Sequence, residues 1–580
     1  MRKKVAILLC LAMLIGLICG CNAQTRNDPQ QQQSGQSNSN GGNEPSNNTP
    51  AVQRDPVELT LLVTSSDEKT ANVVRDQLKK AGINVTVNVY PDSGTFNAAV
   101  DTEEYDMMVR GYSGAGSPDA NVRGPFHSNG GWNTTGHNDP EIDALIDEAS
   151  RLTDAEALEV YKKLETTLIE DKALTVPLYS TLKTYAVNKN TVKADSIETS
   201  VGGARWVWST EYNDMSQSED RHYVMGINWA NPNSFDCVQG RDGTTYYQRT
   251  NINVPLIQCA MGGVTTTRGS LTKTYTAADG NMDFYFLLRT DINFGTTVDG
   301  KAVDTGLPVA AEDVKYTYDR DTTVFDVLNE GLEKPFTTIA ADKYDVDADA
   351  GKYQVVHIRL TEQYPQQLVT LSAGQISIVC MDRIEEVNKG IDVSNYDPNT
   401  HVLYGDPSTL KQGADHGVYF SGPYVLNYVD DYGSYLERNP GWNPEAEDAA
   451  KIRYVDMLAI SDNSTQTAAF RNGELDEAMP GGENIALCEA DENINMVKTP
   501  SVSVTSVYPI LRGNSKMLDE NLRKAVLYAI NTDEIIAVMG KGNYVPANSN
   551  LIMLDTGYRF QQDLAKSAEY LEAYYQSIGE

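Results

Sequence analysis

Ten residues from Arg110 to Asp119 (RGYSGAGSPD) gather three glycines, two serines, an arginine and an aspartate. Glycine lets a backbone approach a partner closely, and the stretch follows an apolar strand-like run, where α/β folds place their ligands. Arg110, Gly111, Tyr112, Ser113, Gly114 and Asp119 are therefore candidate ligand contacts. A second group, Arg241, Asp242 and Tyr246, follows the strand-like run 223–229, and Trp132 and Trp229 are candidate apolar walls. Catalytic readings find little. Gly111-Tyr112-Ser113-Gly114-Ala115 stops one residue short of a G-x-S-x-G nucleophile elbow, and Pro118 argues against the helix that must follow it. Gly540-Lys541 lacks the upstream glycine and the following Ser/Thr of a phosphate loop. Six histidines (His127, His137, His222, His357, His401, His416) stand without paired helical spacing, and no CxxC occurs, so neither a metal site nor a cofactor is expected.

The elements around the candidate contacts read as α/β. Residues 57–63 make a strand by their branched and aliphatic content, 72–81 a helix ended by Gly82, and 83–90 a strictly alternating strand. Asp139-Pro140 opens a helix in the order cap, then proline, and Thr153 with Glu156 forms a capping-box pattern for the next. Two strands, 174–179 and 184–188, close this first block. Residues 209–222 (STEYNDMSQSEDRH) carry no apolar periodicity, and 223–229 then opens a second block as a strand. Strands are expected at 283–289, 353–360 and 451–459, a hairpin at 421–440, and helices at 311–320, 366–373, 465–471, 519–530, 532–539 and 564–578. Each block looks incomplete, and the second ends on a helix without the strand expected to follow it.

A chain of 580 residues needs several domain-sized units. Its formal net charge of −33 repels phosphate backbones and so excludes nucleic acid as a partner. Arg2, Lys3 and Lys4 precede an apolar run, 5–19, that is shorter than the roughly 20 residues a spanning helix needs. The run ends in Ile18-Cys19-Gly20-Cys21, which resembles a bacterial lipobox and implies export with lipidation at Cys21. Residues 22–56 are rich in Gln, Ser, Asn and Gly, have too little to bury to offset their ordering entropy, and read as a disordered leash of roughly 30 to 35 Å reach. Beyond the leader lie Cys237, Cys259, Cys380 and Cys488, expected as buried thiols, with a Cys237–Cys259 bridge as the alternative.

Several short motifs together resemble the family 5 solute-binding proteins of bacterial ABC importers. They are the strand 283–289 with Asp299-Gly300 and Ala311-Glu312-Asp313-Val314, the turn Gly422-Pro423-Tyr424, and Glu437-Arg438-Asn439-Pro440. Gly473-Glu474-Leu475-Asp476 and Leu522-Arg523-Lys524-Ala525 with Tyr528-Ala529-Ile530-Asn531 complete the set. In that family the elements seen here at 57–63, 77–83 and 141–149 follow the helix matched by 564–578, so the sequence resembles a circular permutant. A chimaera or truncated tandem is the competing reading.

The resemblance implies a type II periplasmic-binding-protein-like fold whose larger lobe carries an extra subdomain. One lobe would be 57–190 plus 501–580 and the other 191–500, with crossings near 176–190 and 496–508. It implies an extracytoplasmic, lipid-anchored monomer that binds a peptide, or an oligosaccharide or metal chelate, and delivers it to ABC permease subunits. The aspartate that holds a peptide amino terminus in relatives is replaced by Ala115, which leaves Asp119 as its substitute. A surface sensor without transport, or a glycan hydrolase, are the alternatives.

Overall fold

Val57–Thr64 forms strand β1, with Leu61, Leu62 and Val63 wholly buried. The structure is a computed structural model. It describes residues 54–91, 93–102, 104–114, 116–227, 234–237, 243–261, 263–278, 281–320, 337–340, 354–360, 363–372, 377–393, 395–397, 400–540 and 542–579. Asp55–Glu580 is one unit, and of the other, Met1–Arg54, only Arg54 is described. The expected signal segment, Cys21 and most of the leash lie outside the described residues.

After β1 come helix α1 (Glu68–Lys80), β2 (Ile83–Tyr90), α2 (Ser93–Thr102), β3 (Met107–Ser113), α3 (Pro118–Phe126), α4 (Pro140–Ser150) and α5 (Asp154–Thr166). Asp139 caps α4 by accepting from Glu141 N at 3.0 Å, and the Thr153–Glu156 capping box of α5 is present. Pro118 does not oppose a helix but opens one: it occupies the first turn of α3, where the missing N–H would have no intrahelical partner.

The strands expected at 174–179 and 184–188 are one thirteen-residue strand, β4 (Val176–Asn188). Residues 180–183, which interrupt the apolar pattern, are held extended by pairing of their own: Ser180 and Thr181 with Val545 and Tyr544, Leu182 and Lys183 with Pro500 and Thr499. The second block supplies β5 (His222–Ile227), α6 (Ala311–Arg320), α7 (Gln367–Leu371), β6 (Tyr424–Asp430), β7 (Gly433–Arg438), β8 (Tyr454–Ala459), β9 (Glu477–Ala478), β10 (Ile494–Pro500) and β11 (Ser503–Pro509). Then follow α8 (Glu520–Ala529), α9 (Thr532–Met539), β12 (Tyr544–Pro546) and α10 (Leu564–Ile578).

These strands join one sheet in the order β6-β7-β8-β5-β9-β4-β11-β3-β1-β2, with β10 and β12 also on β4. One apolar core covers the β11-β3-β1-β2 end and takes side chains from both chain-order extremes. Val57, Leu61 and Leu78 share it with Leu522, Leu571, Tyr574 and Tyr575. Another, with Val187, Trp206, Trp208, Tyr223 and Met457, covers the β5 end. β4, together with the β10–β11 passage, runs from one core to the other. A smaller sheet built on Asp283–Leu288 and Gln354–Arg359 packs in a third core.

The shared motifs do structural jobs. Asp476 accepts from Val224 N (3.1 Å) and Thr191 Oγ1 (3.3 Å) and pairs with Arg221, fixing where β5 starts. Glu437 accepts from Arg453, Asn427 and Ala302 N. A Cβ on Gly422 would lie 2.4 Å from the backbone at Ile252, so the turn before β6 admits only glycine. Cys237, Cys259, Cys380 and Cys488 are buried free thiols.

Two buried groups give acid dependences of opposite sign. His416 accepts Val418 N at Nδ1 (3.1 Å), so Nε2 carries the proton donated to Leu426 O (3.0 Å), and burial pushes the ring down to about 4. Its stabilising contribution is present above the unfolded value near 6.5 and is lost as pH falls toward 4, by about 3 kcal/mol at most. Asp313 accepts Met381 N (2.9 Å) and Ala310 N (3.0 Å), yet burial pushes its carboxyl up to about 6. Its contribution is present below pH 3.8 and is lost as pH rises through 6. Denaturant melts should therefore show His416→Gln losing less stability than the parent between pH 6.5 and 4, with the difference vanishing above pH 7.

Candidate functional site

β3 pairs with β11 along its whole length, from Met107↔Pro509 to Ser113↔Ser503, but with β1 only at Leu61↔Met107 and Leu62↔Met108. Gly114 N donates to Val502 O and Ile510 N donates to Asp106 O, so even-numbered residues direct their N–H and C=O toward β11. Val109, Gly111 and Ser113 then direct theirs the other way, where β1 has already diverged into α1. Among the described residues no strand pairs with β3 on that side beyond Met108. Gly111 and Ser113 are exposed there.

The two faces of this strand differ. Arg110 and Tyr112 point to the α3 side, where the Arg110 guanidinium lies 4.4 Å from the Trp132 ring centroid and Tyr112 meets the same indole edge-on at 5.8 Å. The Tyr112 hydroxyl rests on Gly124, where a Cβ would come within 2.1 Å of it. Burial lowers the Arg110 pKa, and among the described residues no carboxylate forms an ion pair with it.

Gly111 and Ser113 lie on the opposite face. A Cβ on Gly111 would stand 3.4 Å from Ser503 Oγ and 3.6 Å from Thr505 Oγ1. Beside Thr505 is Tyr179, whose hydroxyl is 2.8 Å from Thr70 Oγ1 and whose ring meets Tyr544 edge-on at 4.9 Å. Asp67, at the head of α1, borders both tyrosines. Burial raises its carboxyl pKa, the Thr64 and Ser66 hydroxyls partly offset this, and no cation pairs with it among the described residues. Asp67, Tyr179 and Tyr544 were missed in the sequence: one carboxylate among 80 Asp and Glu carries no spacing signal.

Asp119 is fully buried at the head of α3. Arg123 Nε bridges its two oxygens at 3.1 and 3.0 Å, and Tyr364 Oη donates at 3.3 Å. Its backbone N–H donates to Gln366 Oε1 at 3.1 Å, while Gln366 Nε2 reaches Asp154 at 3.3 Å. Asp119 thus ties the β3 half to the α7 segment, and a ligand ammonium would have to displace Arg123 to reach it. Gly114 closes the strand end against Val502. Trp229, Arg241, Asp242 and Ala115 lie outside the described residues. Tyr246 falls in the helix Gly243–Ile252, with its side chain outside them.

Among the described residues no cluster of His, Cys, Asp and Glu is arranged to hold a metal ion, and no helix is long and apolar enough to cross a membrane. What the geometry offers is an open strand edge flanked by hydroxyls and one cation-free carboxylate. That is an arrangement for holding an extended polar solute.

Comparison with known proteins points the same way. The profile of the family described as bacterial extracellular solute-binding proteins, family 5 Middle, matches residues 38–134 and 266–574, more than half of the chain. The oligopeptide-binding protein OppA of Bacillus subtilis (strain 168) is 27% identical over 174 residues, covering 27% of this chain and 31% of OppA. The dipeptide-binding protein DppE of the same organism is 23% identical over 333 residues, covering 56% of this chain and 55% of DppE. The chain therefore spans about a third and about half of the lengths of these curated relatives. Among solved structures, the Helicobacter pylori periplasmic binding protein DppA in complex with the peptide STSA aligns at 18% identity and TM-score 0.41. That alignment covers 62% of this chain and 66% of that one. The chain belongs to the bacterial extracellular solute-binding proteins of family 5, with the α/β, type II periplasmic-binding-protein fold of that family.

Proposed function

We propose that this chain is the extracytoplasmic receptor of an ABC importer, lipid-anchored through Cys21, and that it captures a peptide or similar small solute between two closing lobes. One observation carries the reading: the β3 edge at the exposed Gly111 and Ser113 offers outward backbone donors and acceptors to an extended ligand, which would add as a strand. The preference for peptide over sugar or chelate rests on the names of OppA and DppE. Lobes of 57–190 plus 501–580 and of 191–500 would swing on β4 and the β10–β11 passage. A solute touching both stabilises the closed form by its differential affinity, and permease subunits read that form. Asp67, near both Tyr179 and Tyr544, takes the ligand's amino terminus in place of the aspartate absent at Ala115. The lobe that supplies both chain-order extremes reflects a permuted order of family elements.

Calorimetry with tri- to pentapeptides tests this directly. Proline is tolerated on a strand edge whose N–H faces solvent, so Gly111→Pro should keep the fold yet remove an outward donor and weaken binding roughly 10- to 100-fold. Asp67→Asn should weaken binding of free peptides and spare their N-acetylated forms. If only oligosaccharides or nickel chelates bind, or if Gly111→Pro binds peptides as tightly as the parent, the reading fails.

A further inference from the structure

A cavity of about 330 Å³ sits where the chain passes between the two cores, bordered by Ser180 and Leu182 of β4, Ser501 between β10 and β11, and the segment 545–559. It lies across β11 from β3, on the β4 side, and none of its lining residues belongs to the β3 edge. Its volume falls in the range of small-molecule sites, about 300 to 1,000 Å³. Glu165 of α5 lines it and is 4% exposed. The Glu165 carboxylate accepts from Ser549 Oγ at one oxygen and from Thr556 Oγ1 at the other.

No lysine, arginine or histidine among the described residues pairs with Glu165. The nearby Arg559 is engaged by Asp555 at 2.9 Å, and both of those side chains are exposed. A buried carboxylate held only by hydroxyls retains lone pairs and most of its uncompensated charge. Burial accordingly raises its pKa. The rest of the wall includes Leu182, Leu551 and Ile552, which suit a short hydrocarbon chain, and the Asp555–Arg559 ion pair.

We propose that this cavity is a second ligand site, taking a small alkylammonium cation whose charge is met by Glu165 and whose carbon chain lies along Leu182 and Leu551. The ammonium brings three donors to the open lone pairs of the carboxylate. The site has a direct mechanical connection: Ile552 and Met553, on the segment that walls it, pack against Val201, Val502 and Cys259. An occupant stiffens that wall and so favours the closed arrangement of the two halves.

A purely structural Glu165, clamping the 549–556 segment to α5, would bind no amine, and the experiment separates the two. The full chain is titrated calorimetrically at pH 7.5 with n-butylamine and 1,4-diaminobutane, with n-butanol and butyrate as uncharged and anionic controls. The expected result is saturable binding of the amines alone, at least about 10-fold weaker in Glu165→Gln, a loss of about 1.4 kcal/mol. Leu182→Phe, which fills the cavity and leaves Glu165 in place, should lose amine binding to a similar degree, and it decides the matter if Glu165→Gln does not fold. No saturable heat with the parent up to roughly 10 mM amine, weaker than the ~1 mM affinity worth −4.1 kcal/mol, overturns the proposal. Amine binding that survives Leu182→Phe overturns it equally. Peptides are titrated separately against the parent chain, so absent amine binding beside intact peptide binding fails this proposal and leaves the importer reading standing.

Discussion

Replacing Arg205 with methionine is expected to destabilise the protein by about 3 to 5 kcal/mol, because it strands Glu477 as an unpaired charge in a dry interior. The two side chains are 1% and 0% exposed. Arg205 Nε lies 3.0 Å from both Glu477 oxygens, Nη1 donates to Glu198 O at 2.6 Å and Nη2 to Thr210 Oγ1 at 2.8 Å. Tyr223 Oη adds a second donor to Glu477 at 2.6 Å. The pair joins three pieces that are distant in sequence: the segment entering the 209–222 stretch, the first residues of β5 and the short β9. Removing one partner leaves its mate with the full desolvation cost, whereas removing both does not. Arg205→Met combined with Glu477→Leu should therefore recover most of the loss, giving a coupling energy of at least about 2 kcal/mol in a double-mutant cycle. Urea denaturation at pH 7 measures all three variants. Equal losses in the single and double variants would mean that packing, not charge, sets the cost.

Local chemistry made many of the elements legible. The Thr153–Glu156 box and the Asp139-Pro140 start each involve groups within three residues of one another, and each forms as written. Pairings that depend on the rest of the sheet were not legible. The split reading of β4 followed a local break in apolar pattern at 180–183, but β10, β11 and β12 all bond to that strand and keep it continuous. Glycine density marked the end of a strand as a place where backbone can approach a partner, and Gly111 and Ser113 are exposed there. It could not show that the edge is open, because that follows from β1 diverging after Leu62. Nor could it sort the neighbours by face. Alternation puts Arg110 and Tyr112 with Trp132 on one side and Gly111 and Ser113 with Thr505 on the other. Asp119 reads from sequence as a candidate ligand contact, yet its partners Tyr364 and Gln366 come from about 245 residues away. Burial that remote is invisible to any local window.

Deleting residues 564–580 should unfold the β1–β2–β3 half outright, although that half begins some 500 residues earlier in the chain. α10 buries Leu571, Tyr574 and Tyr575 in the core that holds Val57, Leu61 and Leu78. Ser567 Oγ donates to Ala525 O at 2.7 Å, and Tyr575 Oη donates to Asp55 O at 2.8 Å, just ahead of β1. Burying three such side chains contributes roughly 5 to 9 kcal/mol, comparable to the whole stability of a typical domain. The proposed permuted order predicts the opposite outcome for a break in the 209–222 stretch. There Asp214, Ser216 and Gln217 are exposed, and the short 3-10 turn Met215–Gln217 buries nothing. A protease site placed between Ser216 and Gln217 should be cut with both fragments remaining together in gel filtration and native mass spectrometry. Joining residue 579 to residue 55 by a short glycine-serine linker, and opening the chain between 208 and 222, should yield the same fold and the same peptide affinity within about threefold. Loss of the fold in the rejoined chain, or dissociation of the cut one, would show that residues 209–222 hold the halves together and that the order is not a permutation. Survival of the 564–580 deletion would sever β1 from α10 and remove the reason for placing both in one lobe.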